Sequence, residues 1–196
     1  MAKSDPAVAK KERNKTIKWV ITIFLVTIVI SGTISLLSDV LMENSSMGVA
    51  FLILLVIILV GIVFDIIGMA VATADEKPFH SMAARKVPGA LEAIRLLRNA
   101  ERVSSICNDV VGDICGVVSG SASATIAVQI LRNFDFTWPQ MISLLMSAMA
   151  AGLTVGGKAI GKSFAVNSCT QIVHGVGRGI HALHNFPDVF RKKKKN

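Results

Sequence analysis

Residues 19–38 read WVITIFLVTIVISGTISLLS, and none of them carries an ionisable side chain. A run of that kind leaves the chain few options. A hydrocarbon layer of about 30 Å is crossed by roughly 20 apolar helical residues. Backbone N–H and C=O groups find no water inside it, so the segment has to satisfy them itself, as an α-helix does. The apolar run is too long for the core of a signal peptide, and no clear small-x-small cleavage pattern follows it. It reads as a first spanning helix or an uncleaved signal anchor.

Three further tracts follow the same logic. One runs from Met47 to about Ala72 with a single charge, Asp65. One runs from Val103 to Leu131 and contains Asn108, Asp109 and Asp113. The last runs from about Met141 to Gly157. Only 17% of the residues are charged, against about 25% in a soluble domain. The expected fold is therefore all-α, a polytopic membrane helical bundle of about four transmembrane helices with amphipathic juxtamembrane helices. The expected organisation is a basic N-terminus over 1–18, an extra transmembrane helix over 19–38, a domain over 47–185 with a charged segment at 75–102, and a basic tail over 186–196.

Charge placement predicts a topology. Lys and Arg gather in the N-terminus, in 75–102 and in the tail, which the positive-inside rule assigns to the cytoplasm. The 39–46 and 132–140 loops then lie outside, and the protein is expected in the cell membrane as a multi-pass chain with both termini cytoplasmic. The formal net charge of +8 is explained by these flanks. Nucleic acid is not an expected partner, because interleaved surface aromatics and zinc-finger or RNP-like patterns are missing. The terminal RKKKKN suits contact with anionic lipid or a solvated topology signal. Within 75–102, Leu91, Ile94, Leu96 and Leu97 fall on one side of a helix, opposite Glu92, Arg95, Arg98 and Arg102. That pattern predicts an amphipathic interfacial helix, started by Pro88-Gly89.

Catalytic chemistry is not expected. Cys107, Cys115 and Cys169 form no disulfide framework and have the wrong spacing for zinc. His181 and His184 are spaced i, i+3 but lack an evident third ligand, so surface histidines are the plainer reading for them and for His80 and His174. The glycine-rich HGVGRG stretch at 174–179 follows no strand, which weakens a nucleotide-loop reading. Small residues recur every four positions at Gly112, Gly116 and Gly120 and at Ser143, Ser147 and Ala151. Such stripes let helix backbones approach closely, and plain packing and a dimer contact explain them equally well.

The ionisable residues inside the spans carry the functional signal. A charge at mid-bilayer costs on the order of 3 kcal/mol by insertion scales, so Asp65, Asp109, Asp113 and Lys158 each need a reason. Asp109 and Asp113 at i, i+4 share a helix face, with Cβ atoms roughly 5–6 Å apart. Two carboxylates that close must share a proton, bind a cation or pair with a base. Asn108 adds a neutral oxygen. Hard oxygen ligands suit Mg²⁺, Ca²⁺ or Na⁺. The expected cation ligands are therefore Asp109, Asp113, Asn108 and Asp65, with Lys158 as the charge-compensating group. An internal salt-bridge network is the competing explanation.

The segment FDIIGMAVATADEKPFHSMAARKVPGALEAIRLLRNAERVSSICNDVV and the later GGKAIGKSFAVNSCTQIVHGVGRGIHAL resemble the transmembrane domain of the CNNM/CorC magnesium-transporter family. The resemblance covers about residues 50–185. It implies a homodimeric domain of three core helices, here preceded by an extra span, and a cation site between helices built from hydroxyl, asparagine and glutamate side chains. On that matching Asn108 takes the first asparagine position and Gly112 the second, with Asp109 and Asp113 one place further on. Lys158 stands where the family has its glutamate, and Gly161-Lys162 where it has Pro-Lys. Ile67-Gly68-Met69 replaces the serine and acid of the first-helix motif, with Asp65 nearby. An ammonium at a ligand position repels the ion or takes its place. The chain has no room for the family's cytosolic CBS pair and C-terminal domain, so nucleotide regulation through CBS domains is not expected.

The function expected from these residues is membrane transport of a divalent cation, Mg²⁺ first, with no organic cofactor and with bound Mg²⁺ or Na⁺ as the only ligand. The expected partners are an inorganic cation, the lipid bilayer and a second copy of the chain. Two alternatives belong to other classes: a non-transporting membrane interaction subunit, and a proton-coupled transporter of another solute.

Overall fold

The computed structural model describes residues 6–43, 45–133 and 138–192, with side chains described over 17–42, 45–133 and 138–184. Those residues form helices and short connections, with no strand among them. The helices are α1 (Pro6–Glu43), α2 (Met47–Thr73), α3 (Lys77–Ala84), α4 (Ala90–Leu97) and α5 (Ala100–Ser105). A π-helical segment (Ile106–Gly112) follows, then α6 (Asp113–Asn133), α7 (Pro139–Asn167) and α8 (Cys169–Lys192). α5, the π-helical segment and α6 run on as one rod. Four helical stretches are long and apolar enough to cross a membrane: Ile17–Met42, Met47–Thr73, Ala100–Asn133 and Pro139–Asn167. The protein is an all-α membrane bundle.

α1 begins at Pro6, ahead of the expected start at Trp19, and three further boundaries differ from the sequence expectation for a physical reason. α1 does not stop at Ser38 but continues to Glu43. Its extra turn is held because hydroxyls on α6 donate to Asp39: Thr125 Oγ1 at 3.3 Å and Ser121 Oγ at 3.5 Å. α7 does not end near Gly157 but runs through Lys158 to Asn167, because the Lys158 charge is paired inside the bundle. The amphipathic helix expected after Pro88-Gly89 within 75–102 is instead two helices, α4 and α5, separated at Arg98-Asn99. Leu91 also points outward, and the buried stripe of α4 is Ala90, Ala93, Ile94 and Leu97. The tip of the 132–140 loop, residues 134–137, and the end of the basic tail, 193–196, lie outside the described residues, as do residues 1–5 of the N-terminus.

α2 is the hub. It packs on α6 and α7 along its length, and α6 also packs on α7 and α1. At the end near the α1–α2 turn, the core is Met42, Leu54, Ile58, Ile126 and Met146 with small alanines between them. Mid-bundle, Val110, Ile114 and Val118 meet Ile23 of α1 and Ile57 of α2. At the other end, Phe79 of α3 is fully buried among Val71, Ala93, Leu97, Ala165 and Val173. That last cluster ties α2 and α7 to α3, α4 and α8.

The α8 end is shaped by one turn. α3 closes with Lys86 N–H on the Ala83 carbonyl and Val87 N–H on the Met82 carbonyl, the reciprocal pair of a Schellman ending. Lys86 takes the left-handed conformation usual there (φ 56). Gly89 is also left-handed (φ 85), and its backbone lies against Gly177 and Arg178 of α8, where any Cβ would collide. Pro88-Gly89 thus starts α4 as expected and also seats α8. His181 Nδ1 to Glu92 Oε1 at 2.9 Å and His174 Nε2 to the Pro88 carbonyl at 3.2 Å complete that seat.

α1 is attached by polar contacts near both ends of its membrane stretch. The Arg102 guanidinium lies 5.7 Å from the centroid of the Trp19 ring, a cation–π distance. At the far end Gln129 Nε2 donates to the Met42 carbonyl at 2.7 Å, beside the Asp39 contacts. Between them α1 exposes Phe24, Val29, Leu36 and other apolar side chains. Lipid solvates these as well as protein does, so polar links carry weight in such packing.

Candidate functional site

The ionisable residues expected at the site separate into an inward-facing pair and an exposed pair. Asp65 of α2 is buried, and its Oδ1 lies 3.2 Å from Lys158 Nζ of α7. The carboxylate side chain is 7% exposed and the lysine side chain 20%. Asp65 lies about 12 Å of helix from the α8 end of α2, and Lys158 at a similar depth in α7. Local sequence permits this meeting. The α2 tract is apolar on all sides, so it can be buried on several faces, and Gly112 on the facing π-helical segment has no side chain. A Cβ there would lie 2.6 Å from Asp65 Oδ1 and 3.1 Å from Lys158 Nζ.

Asn108 lies one turn along the same line of contact, the groove that the missing side chains of Gly68 and Gly112 leave between α2 and the π-helical segment. Its neighbour on α2 is Gly68, which Asn108 Oδ1 approaches so closely that no Cβ fits. Asp65 and Gly68 are three residues apart and so share a helix face. The Asn108 Nδ2 donates to Ser104 Oγ at 3.3 Å. Its Oδ1 is buried and accepts no hydrogen bond from the described residues. A buried acceptor with no donor is costly, on the order of 1–3 kcal/mol, and native structures rarely leave one without a reason. The surrounding backbone is π-helical, an arrangement that is rare and frequent at functional sites.

Asp109 and Asp113 are placed differently. Both are exposed on the outer surface of the third span. Asp109 Oδ2 accepts a hydrogen bond from Ser105 Oγ at 2.8 Å. Asp113, at the start of α6, has no partner among the described residues. Gly116 and Gly120, further along α6, have open space where a Cβ would be. Gly112, the third member of that small-residue stripe, instead faces the Asp65–Lys158 pair.

The structure therefore brings Asp65, Lys158 and Asn108 into one groove and leaves Asp109 and Asp113 outside it. Among the described residues no three His, Cys, Asp or Glu side chains lie close enough together to hold a metal ion. An ion in the groove would rest on one carboxylate and neutral oxygens. That is compatible with Mg²⁺, which commonly keeps several waters and takes one or two carboxylates. His181 is engaged with Glu92, and the Glu92 carboxyl is held below its ordinary 4.5, mainly by that hydrogen bond and against the opposing effect of burial.

Sequence reasoning missed the Asp39 cluster and the role of Ser104. Ser121, Thr125 and Gln129 recur every four residues, which places three polar groups on one face of α6. That spacing was the available signal. No protein-family model matches the chain, nor does any curated protein or solved structure.

Proposed function

We propose that this chain transports a small inorganic cation across a membrane, with Mg²⁺ the first candidate. The observation that carries the reading is that the buried Asp65 carboxylate lies one turn along α2 from Gly68, against which the unpartnered Asn108 Oδ1 packs. Both are oxygen ligands for a hard cation, and both lie well inside helices that are long enough to cross a bilayer. Asp65 supplies the charge, Asn108 a neutral oxygen and Lys158 the compensating charge. Asp109 and Asp113 are the candidate approach on the outer face of the same span. In this reading both termini are cytoplasmic, following the basic flanks, and the domain works as a homodimer, as the CNNM/CorC resemblance implies. Rocking of α7 and the π-helical segment against α2 would open the groove to either side in turn.

The test is Mg²⁺ flux in proteoliposomes containing the full chain. Asp65→Asn is expected to abolish flux, and Asn108→Ala to reduce it at least about tenfold. Asp109→Asn with Asp113→Asn is expected to abolish uptake if those carboxylates feed the groove. Undiminished flux in Asp65→Asn would sink the assignment.

A second reading is favoured by one observation. Asp109 and Asp113 face outward within a span, beside the open Gly116 and Gly120. Carboxylates there are costly against lipid, and a membrane partner would cover them. In that reading the chain is a non-transporting interaction subunit. A stoichiometric membrane partner that co-purifies and is lost in Asp109→Asn with Asp113→Asn, without any ion flux, would favour it over transport.

A further inference from the structure

We propose that the Lys158 ammonium is a tethered stand-in for the transported cation, so that an ion on Asp65 and the Lys158–Asp65 pair exclude each other. The proposal rests on the cation-transport reading of the same groove and names what regulates it.

Three features carry it. First, the ammonium sits on the carboxylate at 3.2 Å, and it is the more exposed of the two. An ion that takes the same carboxylate oxygen has to displace the ammonium from it. Second, the contact depends on a bare backbone position. Gly112 lets both head groups lie directly against the π-helical backbone, since even a methyl group there would press against the Asp65 oxygen and the Lys158 nitrogen. Third, the groove holds more acceptors than the lysine satisfies. Asn108 Oδ1 has no donor while the ammonium rests on Asp65. An ammonium is a compact point charge on a flexible stem with rotatable donors, so it can leave without breaking a bidentate grip. An ion that replaces it can take the carboxylate and, one turn along, the amide oxygen.

The arrangement solves a problem that any buried ion site has. An empty site with a bare carboxylate is expensive in a low-dielectric interior, and removing one partner from a buried pair leaves the other charge uncompensated. With Lys158 in place the empty site is neutral and closed. When the ion binds, Lys158 gives way towards its exposed side. The pair is thus the resting state of the site, and the ion must outcompete it.

The experiment follows thermal unfolding of the purified full chain in nanodiscs while MgCl₂ is titrated, for the wild type, Lys158→Gln, Lys158→Arg and the Asp65→Asn/Lys158→Gln double variant. Lys158→Gln is expected to be less stable without Mg²⁺ and to regain stability with it, at a half-maximal concentration at least about tenfold below that of the wild type. The neutral double variant is expected to show no response. If Lys158→Gln responds to Mg²⁺ no more than the double variant does, the pair is only a structural bridge and the proposal falls. Should Lys158→Gln not fold even in Mg²⁺, Lys158→Arg decides. Its guanidinium fork holds a carboxylate more firmly, so a response weakened at least about tenfold supports the proposal and an unchanged one overturns it. Parallel flux measurements separate the two claims. Wild-type flux with an unshifted Lys158→Gln response removes the competition and leaves transport. A shifted response without wild-type flux supports the competition and removes transport.

Discussion

Asp65 and Asp113 are both carboxylates within long apolar helices, yet the bundle treats them in opposite ways. Asp65 is turned inward, covered, and matched with Lys158 from a helix more than 90 residues away in sequence. Asp113 is turned outward and has no partner among the described residues. The difference teaches that an intramembrane charge is a question rather than an answer. What it does depends on whether packing supplies a counter-charge, and that depends on the faces that α2, α6 and α7 present to one another.

The sharpest way to break the comparison is to remove the carboxylates one at a time. Asp65→Ala leaves the Lys158 ammonium inside the bundle without its partner. Losing one member of a fully buried pair costs about 3–5 kcal/mol, and the Lys158 side chain is partly exposed, so reversible unfolding in detergent should show a loss at the low end of that range. Asp113→Ala should leave stability unchanged or raise it. A loss for Asp113→Ala comparable to that of Asp65→Ala would mean that the two carboxylates are not different in kind.

A finer test uses the glycines on the same rod. Gly112→Ala pushes a methyl group against Asp65 and Lys158, and overpacking of this sort costs typically about 1–3 kcal/mol. Gly120→Ala meets open space and should change the stability of the isolated chain by less than about 0.5 kcal/mol. Equal effects at the two positions would contradict the division of the stripe into an inward and an outward face.

The clamp on α1 should give a smaller change. Interhelical hydrogen bonds within membranes average about 0.6 kcal/mol, with larger cases near 1.7. Gln129→Ala removes a 2.7 Å bond to the Met42 carbonyl and is expected to fall in that range. It should also increase amide exchange in residues 36–42 selectively. Exchange that rises evenly over the whole chain would show that α1 is not held locally.

The smallest effect lies outside the spans, at the seat of α8. The Glu92 carboxyl is held below 4.5 in the folded chain, so its contribution is present above the unfolded value and is lost as pH falls through the folded one. Docking of α8 on α4 should therefore loosen only in acid below about pH 4.5. Glu92→Gln should remove that pH dependence while retaining part of the His181 contact. Limited proteolysis across 169–184 between pH 3.5 and 6 reads the difference, and an unaltered profile in Glu92→Gln would assign the transition to another group.

Much of this architecture follows from the chain read as a string. The four spans are dictated by apolar length, because a backbone that enters hydrocarbon must be helical. The start of α4 is dictated by Pro88-Gly89, because a side chain at 89 would be strained at that φ and would strike α8. Asp65, Asn108 and Lys158 stood out as polar residues in apolar surroundings, so the components of the groove were legible as well. Their assembly was not. The i, i+4 spacing drew attention to Asp109 and Asp113, since local periodicity sees only neighbours on one helix. It is blind to the π-helical widening at 106–112 and to the bare backbone at Gly112 that admits a partner from α7. The choice of Asp65 over Asp113 as the buried carboxylate was made by three helices packing at once. Burial and pairing are properties of the space between elements, and only the tertiary structure contains that space.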